Sequence, residues 1–261
     1  MKTLSTDVAE YLENKINCLE QLYQWQFDAA IPEARFGSKI PNKSWAKKTR
    51  SLRWQLRKFL KDNQDQNSAL KVARYLIHDW GRIPQFKRCK QVVVEFANVS
   101  KTDDISNCCF GFDGISSWSK WASFVRPAWA CTYDARVAYS INAINFLKGG
   151  FHKIFPSPPG RNPRLLALDV ATLVRAKKLS RADRPWDLSL DPAFEDKTVS
   201  KGEVYRTYLE LVRAVSERLW GNAKHIQTVE MLLFGMADGA LYRDVISDLR
   251  TNYRKSAAIA V

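Results

Sequence analysis

The sequence contains few cysteines and histidines, the residues that form zinc sites, iron–sulfur clusters and disulfides. Its five cysteines include no Cys-x-x-Cys pair, and its three histidines, His78, His152 and His225, lie far apart. A zinc site or a cysteine-bound iron–sulfur cluster needs closely spaced ligands, so the sequence predicts neither. An odd number of cysteines without framework spacing indicates reduced thiols, and hence a reducing compartment such as the cytoplasm.

Long apolar runs and nucleotide-binding glycine motifs are also missing. No stretch approaches the roughly 20 apolar residues that a transmembrane helix needs. The opening residues, MKTLSTDVAEYLENK, turn polar and acidic at once, unlike a secretory signal. Neither GxxxxGK[ST] nor GxGxxG occurs. We therefore expect a protein with no membrane partner and no cofactor.

Positive charge is what the sequence has in excess. It contains 41 lysines and arginines against 27 aspartates and glutamates, a formal net charge of +14. Such an excess favours a polyanionic partner whose affinity falls steeply with salt, the alternative being a basic protein without such a partner. Because the cations are also clustered, we expect the partner to be nucleic acid.

Hydrophobic spacing predicts a mainly α protein. The β-branched segment 91–99 fits either a strand or a buried helix, so a short strand pair stays open. Prolines and glycines predict loops over 28–43 and 155–164. The predicted helices cover 6–27, 44–61, 68–80, 118–126 and 134–148, with three more after residue 200.

No repeat or linker divides the chain. We therefore expect residues 1–261 to form a single helical domain and to act as a monomer. Within it, residues 1–66 make a basic N-terminal helical part and residues 67–261 the core that carries the chemistry.

The predicted helix 44–61 carries a run of cations with no acid among them. A solvated helix usually mixes both signs and gains i,i+4 pairs. We interpret the run as a phosphate-binding surface, with a plain solvated face as the alternative. The DNA contacts predicted on this helix are Lys47, Lys48, Arg53 and Arg57.

The informative segment is GFDGISSWSKWASFVRPAWACTYDARVAYSINAI (111–144). It reads as a turn, a short helix carrying Lys120, a break at Pro127, and an aromatic connector to Asp134 at the start of the next helix. An aspartate there accepts backbone N–H bonds and lies at the positive end of the helix dipole, so its charged form is favoured. A persistent carboxylate suits an enzyme that stabilises a cationic transition state, although an aspartate at a helix start is often only a cap.

This order of turn, Ser-Lys on a short helix, connector, and Tyr-Asp-x-Arg-Val at a helix start resembles the helix-hairpin-helix DNA glycosylases. It is most similar to their bacterial branch with the 8-oxoguanine-glycosylase fold. The resemblance implies that fold, a required aspartate at Asp134, and a lysine, Lys120, able to attack the sugar. It also implies antiviral defence in a bacterial cytoplasm, by excision of glucosylated hydroxymethylcytosine from double-stranded phage DNA. Oxidised purine is the alternative substrate.

The segment departs from the family pattern in two ways. It lacks the usual Gly-hydrophobic-Gly before the lysine, and the separation between Lys120 and Asp134 is short. We therefore expect a monofunctional enzyme that leaves mainly abasic sites. Two rival classes remain open, a non-enzymatic DNA-binding module and a metal-dependent nuclease. No spacing singles out ligands for the nuclease.

An extruded base needs stacking surfaces and phosphate contacts. Each candidate also has an ordinary explanation: core packing for the tryptophans, a salt bridge for Arg136, and a plain surface loop for the proline-rich segment. The predicted pocket rings are Phe112, Trp118, Trp121, Trp129 and Tyr133. The predicted DNA contacts near the site are Ser117, Ser119, Arg136, Arg161, Asn162 and Arg164.

Overall fold

In a computed structural model the protein is built from α-helices, so the prediction of a mainly α fold is confirmed. The structure describes residues 3–99, 111–150, 152–160, 162–179 and 198–259. A π-helical segment, Tyr75–Trp80, continues the fifth helix, and 3₁₀ turns occupy Ile16–Cys18 and Ala223–His225. The helices are α1 (Leu4–Glu13), α2 (Leu19–Leu22), α3 (Ala30–Phe36), α4 (Trp45–Asp62), α5 (Gln66–Arg74), α6 (Cys89–Val99), α7 (Ile115–Val125), α8 (Ala135–Leu147), α9 (Pro163–Ala167), α10 (Val170–Leu179), α11 (Val204–Trp220), α12 (Ile226–Met236) and α13 (Ala240–Ile259).

The ambiguous segment 91–99 is helical, as part of α6. Val92, Val93 and Phe96 are buried, which is the spacing of one helix face. Within the described ranges the chain forms no strand, and the small strand pair is represented only by an isolated parallel bridge between Ile154 and Thr198. None of the helices in these ranges is long and apolar enough to cross a bilayer.

Helix α8 lies at the centre of the molecule because it is apolar on nearly all sides. Every residue from Val137 to Phe146 is buried, and the helix packs against α1, α10, α12 and α13. Two of its polar side chains, Asn142 and Asn145, bond to the backbone of the segment that follows residue 150. Asn142 donates to the Phe155 carbonyl at 2.8 Å and accepts from the Phe155 N–H at 2.9 Å. The central helix therefore holds the loop after residue 150 in place.

Several predicted helix boundaries are wrong. The helix expected over 6–27 stops at Glu13, resumes as a 3₁₀ turn and ends at Leu22. The loop expected over 28–43 contains α3, which ends at Gly37 in the left-handed conformation (φ 64°). A short helix can form there because Gly37 supplies the positive φ that closes it.

Capping residues also mark helix starts that lie earlier than predicted. The cap of α5 is Asp65, whose Oδ1 accepts from the Ser68 N–H at 2.9 Å, so this helix begins at Gln66 and not at residue 68. The proline-rich loop ends earlier than predicted, because Asn162 caps α9 with Pro163 as its first residue. By contrast, α8 begins as predicted, with Asp134 as its N-cap.

Candidate active site

A cleft of about 1450 Å³ opens beside the first turns of α7 and α8. Its remaining walls come from the turn after Trp80, one side of α12, and the segment from Pro156 to Ala171. Lys120 and Asp134 both line it. The two residues that the sequence singled out for chemistry therefore share one cavity.

Lys120 and Asp134 form a buried ion pair. The distance from Lys120 Nζ to Asp134 Oδ2 is 3.7 Å, and the two side chains are 6% and 14% exposed. Lys120 Nζ also donates to the Ser116 carbonyl at 2.7 Å. Burial lowers the pKa of Lys120 below its ordinary value, although the carboxylates of Asp134 and Glu230 act in the opposite direction. A larger share of this lysine is thus a neutral amine at a given pH than for an exposed lysine.

The Asp134 carboxylate is held from two sides. Its Oδ1 accepts the backbone N–H groups of Arg136 at 3.0 Å and Val137 at 3.2 Å. Its Oδ2 is left for Lys120 and the cleft. Helix capping therefore orients a carboxylate oxygen toward the cavity while the positive end of the helix dipole stabilises its charge.

Serines on α7 explain how so short a separation brings the pair together. Ser119 Oγ accepts the Tyr133 N–H at 3.0 Å and contacts the Tyr133 carbonyl at 3.3 Å. One turn later, Ser123 Oγ lies 3.1 Å from Thr132 Oγ1. These bonds tie the connector directly to α7, so Asp134 follows at the level of Lys120. Ser119 is completely buried by this role, and its prediction as a DNA contact is wrong.

A second buried ion pair supports the connector from behind. Arg53 Nη2 contacts Glu230 Oε2 at 2.8 Å, and Arg53 also donates to Gln227. The Thr132 N–H bonds to the Glu230 carboxylate, and Gln227 donates to the Pro127 and Ala130 carbonyls. Arg53 is therefore a core residue, and its prediction as a DNA contact is wrong. Burial raises the pKa of Glu230, and Arg53 opposes the shift.

The stacking surfaces of the cleft differ from those predicted. Trp118, Trp121, Trp129 and Tyr133 are buried in the core and do not line the cavity, so their prediction as pocket rings is wrong. Trp118 packs on Tyr205, Trp129 stacks on Phe96, and the Tyr133 hydroxyl donates to the Pro156 carbonyl. Of the predicted rings only Phe112 reaches the cleft.

Trp25, Trp80 and Phe234 supply aromatic lining that the sequence did not indicate. Trp25 meets Trp80 edge-on at 6.1 Å and Phe234 at 5.4 Å. Arg82 holds its guanidinium 4.7 Å from the Trp25 ring and has a positive φ of 56°. A non-glycine residue in that region is strained, and such strain clusters at functional sites. No local pattern links these residues, because they come from distant parts of the chain.

The predicted phosphate contacts converge on one acid. Arg136 pairs with Asp238 at 2.7 Å, Asn162 donates to the same carboxylate at 2.7 Å, and Arg164 donates to the Asp238 carbonyl at 3.1 Å. Arg136 thus follows the salt-bridge interpretation, while Arg164 remains exposed. Ser117 is buried but lines the cleft. Arg161 lies outside the described residues.

An exposed leucine stands on the rim of the cleft. Leu166, in α9, is 67% exposed and belongs to the cavity wall. Leu166 thus places a large apolar side chain at the mouth of the cleft. The sequence did not single out Leu166, because only its position on the short helix α9 makes it prominent.

On α4, the predicted contacts other than Arg53 remain on the surface. Lys47 pairs with Glu20 at 2.5 Å, Lys48 lies 4.2 Å from the Trp45 ring centre, and Arg57 is exposed. Among the described residues, no group of three His, Cys, Asp or Glu side chains is arranged to hold a metal ion.

Comparison with family models, with curated proteins and with solved structures yields no match to this chain.

Proposed function

We propose that the protein is a DNA N-glycosylase whose carboxylate is Asp134. The observation that carries the proposal is the Lys120–Asp134 pair, 3.7 Å apart at the wall of a large aromatic cleft. Glycosidic cleavage develops positive charge on the sugar, and a fixed carboxylate stabilises it without reorganising. The orientation of Asp134 by two backbone N–H groups supplies that fixed charge.

In the proposed reaction one nucleotide of duplex DNA is extruded into the cleft. The bond from C1′ to the base nitrogen breaks, and the electron pair leaves with the base. Asp134 stabilises the oxocarbenium sugar and takes a proton from the water whose oxygen bonds to C1′. Lys120 balances the charge of Asp134 in the resting site. The proton then passes from Asp134 to the nitrogen of the departed base, so the products are a neutral free base and an abasic site.

A second candidate is favoured by the environment of Lys120. An amine that attacks C1′ must be neutral, and burial lowers the pKa of Lys120. In this alternative Lys120 displaces the base, the sugar opens to a Schiff base, and elimination breaks the DNA strand. Borohydride reduces the Schiff base to a stable adduct. Little adduct supports the monofunctional enzyme, whereas a strong Lys120-dependent adduct establishes the alternative.

For the substrate, we propose a bulky modified pyrimidine, namely glucosylated hydroxymethylcytosine of phage DNA, with oxidised purine second. A volume of about 1450 Å³ exceeds the roughly 300–1000 Å³ usual for small-molecule pockets and leaves room for a sugar-bearing base. Trp25 and Phe234 offer stacking surfaces, and Asn162 and Ser117 offer polar edges. Leu166 on the rim is suited to fill the space that the base vacates.

The decisive experiment incubates the protein with glucosylated phage DNA, with the same DNA lacking glucose, and with DNA containing oxidised purine, followed by an abasic-site assay. We expect abasic sites in the glucosylated DNA only, and no inhibition by chelator. Loss of activity in chelator would indicate a metal-dependent nuclease. Binding to all three DNAs without abasic sites would identify a non-enzymatic module.

A further inference from the structure

The exposed side of α4 carries a stripe of positive charge around one tryptophan. At about 100° per residue, six side chains fall within a sector of about 100°, and all six are exposed. The only acid in α4 is its last residue, Asp62. The residues of the stripe are Lys47, Arg50, Trp54, Arg57, Lys58 and Lys61.

This stripe, and not the cleft, holds a marked excess of positive charge. The described residues that line the cleft include four lysines or arginines and four aspartates or glutamates, so their charges balance. No residue of α4 lines the cleft. The inner side of α4 packs toward α7, where Arg53 lies 5.2 Å from the Phe124 ring centre. The stripe and the cleft are therefore separate surfaces.

The two ends of the stripe differ. At the first end, Lys47 is paired with Glu20, and Arg50 donates to Thr228 Oγ1 at 3.0 Å. At the other end, none of Arg57, Lys58 and Lys61 forms an ion pair with any described residue. The second half of α4 thus presents cations that no carboxylate within the described ranges neutralises.

Trp54 determines which polyanion fits. Its side chain is 63% exposed, with Lys58 Nζ 5.9 Å from the ring centre. A lone ring among cations offers too little apolar surface to anchor a helix in a lipid interface. Proteins bind single-stranded nucleic acid through exposed rings flanked by cations, because an unpaired base stacks on the ring and its phosphates contact the cations. In a duplex the bases are already stacked and cannot reach it.

We propose that Trp54, Arg57, Lys58 and Lys61 form a second nucleic-acid site, selective for single strands and separate from the cleft. The cations lie within about 11 Å of Trp54 along the helix axis, so they reach the phosphates next to a stacked base. The site does not depend on glycosylase activity. It would hold an unpaired strand while the cleft binds another part of the nucleic acid.

The test measures binding of a fluorescent single-stranded oligonucleotide, and of its duplex, by anisotropy. We expect Trp54→Ala to weaken single-strand binding at least about fivefold, and Trp54→Phe to retain most of it, because a phenyl ring still stacks. The triple variant Arg57→Gln, Lys58→Gln, Lys61→Gln should flatten the salt dependence by about two units of slope. A matched control, Lys153→Gln with Lys224→Gln, removes exposed cations outside α4 and should change affinity less than about twofold.

Three outcomes would overturn the proposal: unchanged single-strand affinity in Trp54→Ala, equal losses for single strand and duplex, or a Trp54 requirement seen only with phosphatidylserine vesicles. Thermal unfolding of each variant checks that these surface changes leave the fold intact. Asp134→Asn should bind the single strand as the wild type does. Failure of excision and failure of this second site are therefore distinguishable.

Discussion

Two buried ion pairs in this molecule differ in the distance between the charged atoms and in the exposure of the side chains. Arg53 and Glu230 meet at 2.8 Å with side chains only 5% and 3% exposed, and Gln227 and Thr132 add hydrogen bonds, while Arg53 Nε has no partner among the described residues. Lys120 and Asp134 stand 3.7 Å apart, with the carboxylate 14% exposed to the cleft. Glu230 and Asp134 both border the cleft, but the first pair is almost closed to solvent, whereas the Asp134 carboxylate is more exposed.

This difference separates a structural pair from one suited to chemistry. Burying two charges costs several kcal/mol per ion, which only close contact and complete hydrogen bonding offset. Arg53 and Glu230 come nearer to those conditions through their 2.8 Å contact, and with Gln227 they hold the connector 127–132 in place. Lys120 and Asp134 keep a looser contact, so a substrate atom can take the place of one partner. Under the proposed function, the same type of interaction serves stability in the first pair and reactivity in the second.

The largest expected effect is on the closed pair. Glu230→Gln leaves Arg53 buried without a counter-charge and should lower the free energy of unfolding by about 3–5 kcal/mol. Urea unfolding monitored by circular dichroism measures it. The double variant Arg53→Met, Glu230→Met should recover part of the loss, because neither charge remains. A loss below about 0.5 kcal/mol in Glu230→Gln would show that the pair contributes nothing.

The open pair should respond in the opposite way. Asp134→Asn is expected to reduce base release by at least about 10²-fold, because the charge that stabilises the sugar cation is gone. The free energy of unfolding should change less than in Glu230→Gln, since asparagine caps helices as well as aspartate does and Lys120, whose pKa is already lowered by burial, can release its proton. Single-turnover excision and urea unfolding provide the two measurements.

Asp169 offers the matched control for Asp134. It also lines the cleft and also caps a helix, accepting the N–H groups of Ala171 and Thr172 at 3.0 and 3.3 Å, but it forms no ion pair with a described residue. Asp169→Asn should leave excision within about twofold of the wild type. Equal losses in both variants would argue against a special role for Asp134.

Local patterns predicted the helix that carries the site, because its start is encoded locally. Asp134 followed by an apolar helix is a short-range signal, and α8 begins where the sequence indicates. The pairing of Lys120 with Asp134 depends on contacts of Ser119 and Ser123 with the connector, which no single-sequence rule describes. The resemblance indicated these two residues, and the serine contacts explain their proximity.

Predictions failed where charge or aromatic content was taken as a sign of exposure. Arg53 and Arg57 are equally close to Ala46 around α4, but Arg53 lies nearer to Leu52 and Leu56 on the buried side, so helical spacing separates the two arginines by only about 40°. The three tryptophans that precede Asp134 are buried in the core. The rings that line the cleft, such as Trp25 and Trp80, meet only through tertiary packing, which a linear pattern does not reveal.

The pH dependence of the free energy of unfolding tests the Lys120–Asp134 pair further. Burial lowers the pKa of Lys120, so between that value and about 10.4 the unfolded chain binds more protons than the folded one. The free energy of unfolding of the wild type, relative to Lys120→Met, should therefore rise with pH across this window, by at most about 1.4 kcal/mol per pH unit. Urea unfolding of both proteins at about pH 7 and about pH 9.5 measures the change. A difference that falls with pH would mean that Lys120 gains more from Asp134 than burial costs it.

The smallest expected effect concerns the apolar rim of the open side. Leu166 is 67% exposed, so Leu166→Ala should change the free energy of unfolding by less than about 0.5 kcal/mol. Excision from duplex DNA should nevertheless fall about tenfold, since the side chain no longer fills the gap left by the extruded base and unstacking costs a few kcal/mol. Trp54→Ala removes an equally exposed apolar side chain that does not line the cleft, and single-turnover excision from a short duplex should be unaffected. If both variants excise at the wild-type rate, Leu166 is a surface residue and the wedge must come from another part of the rim.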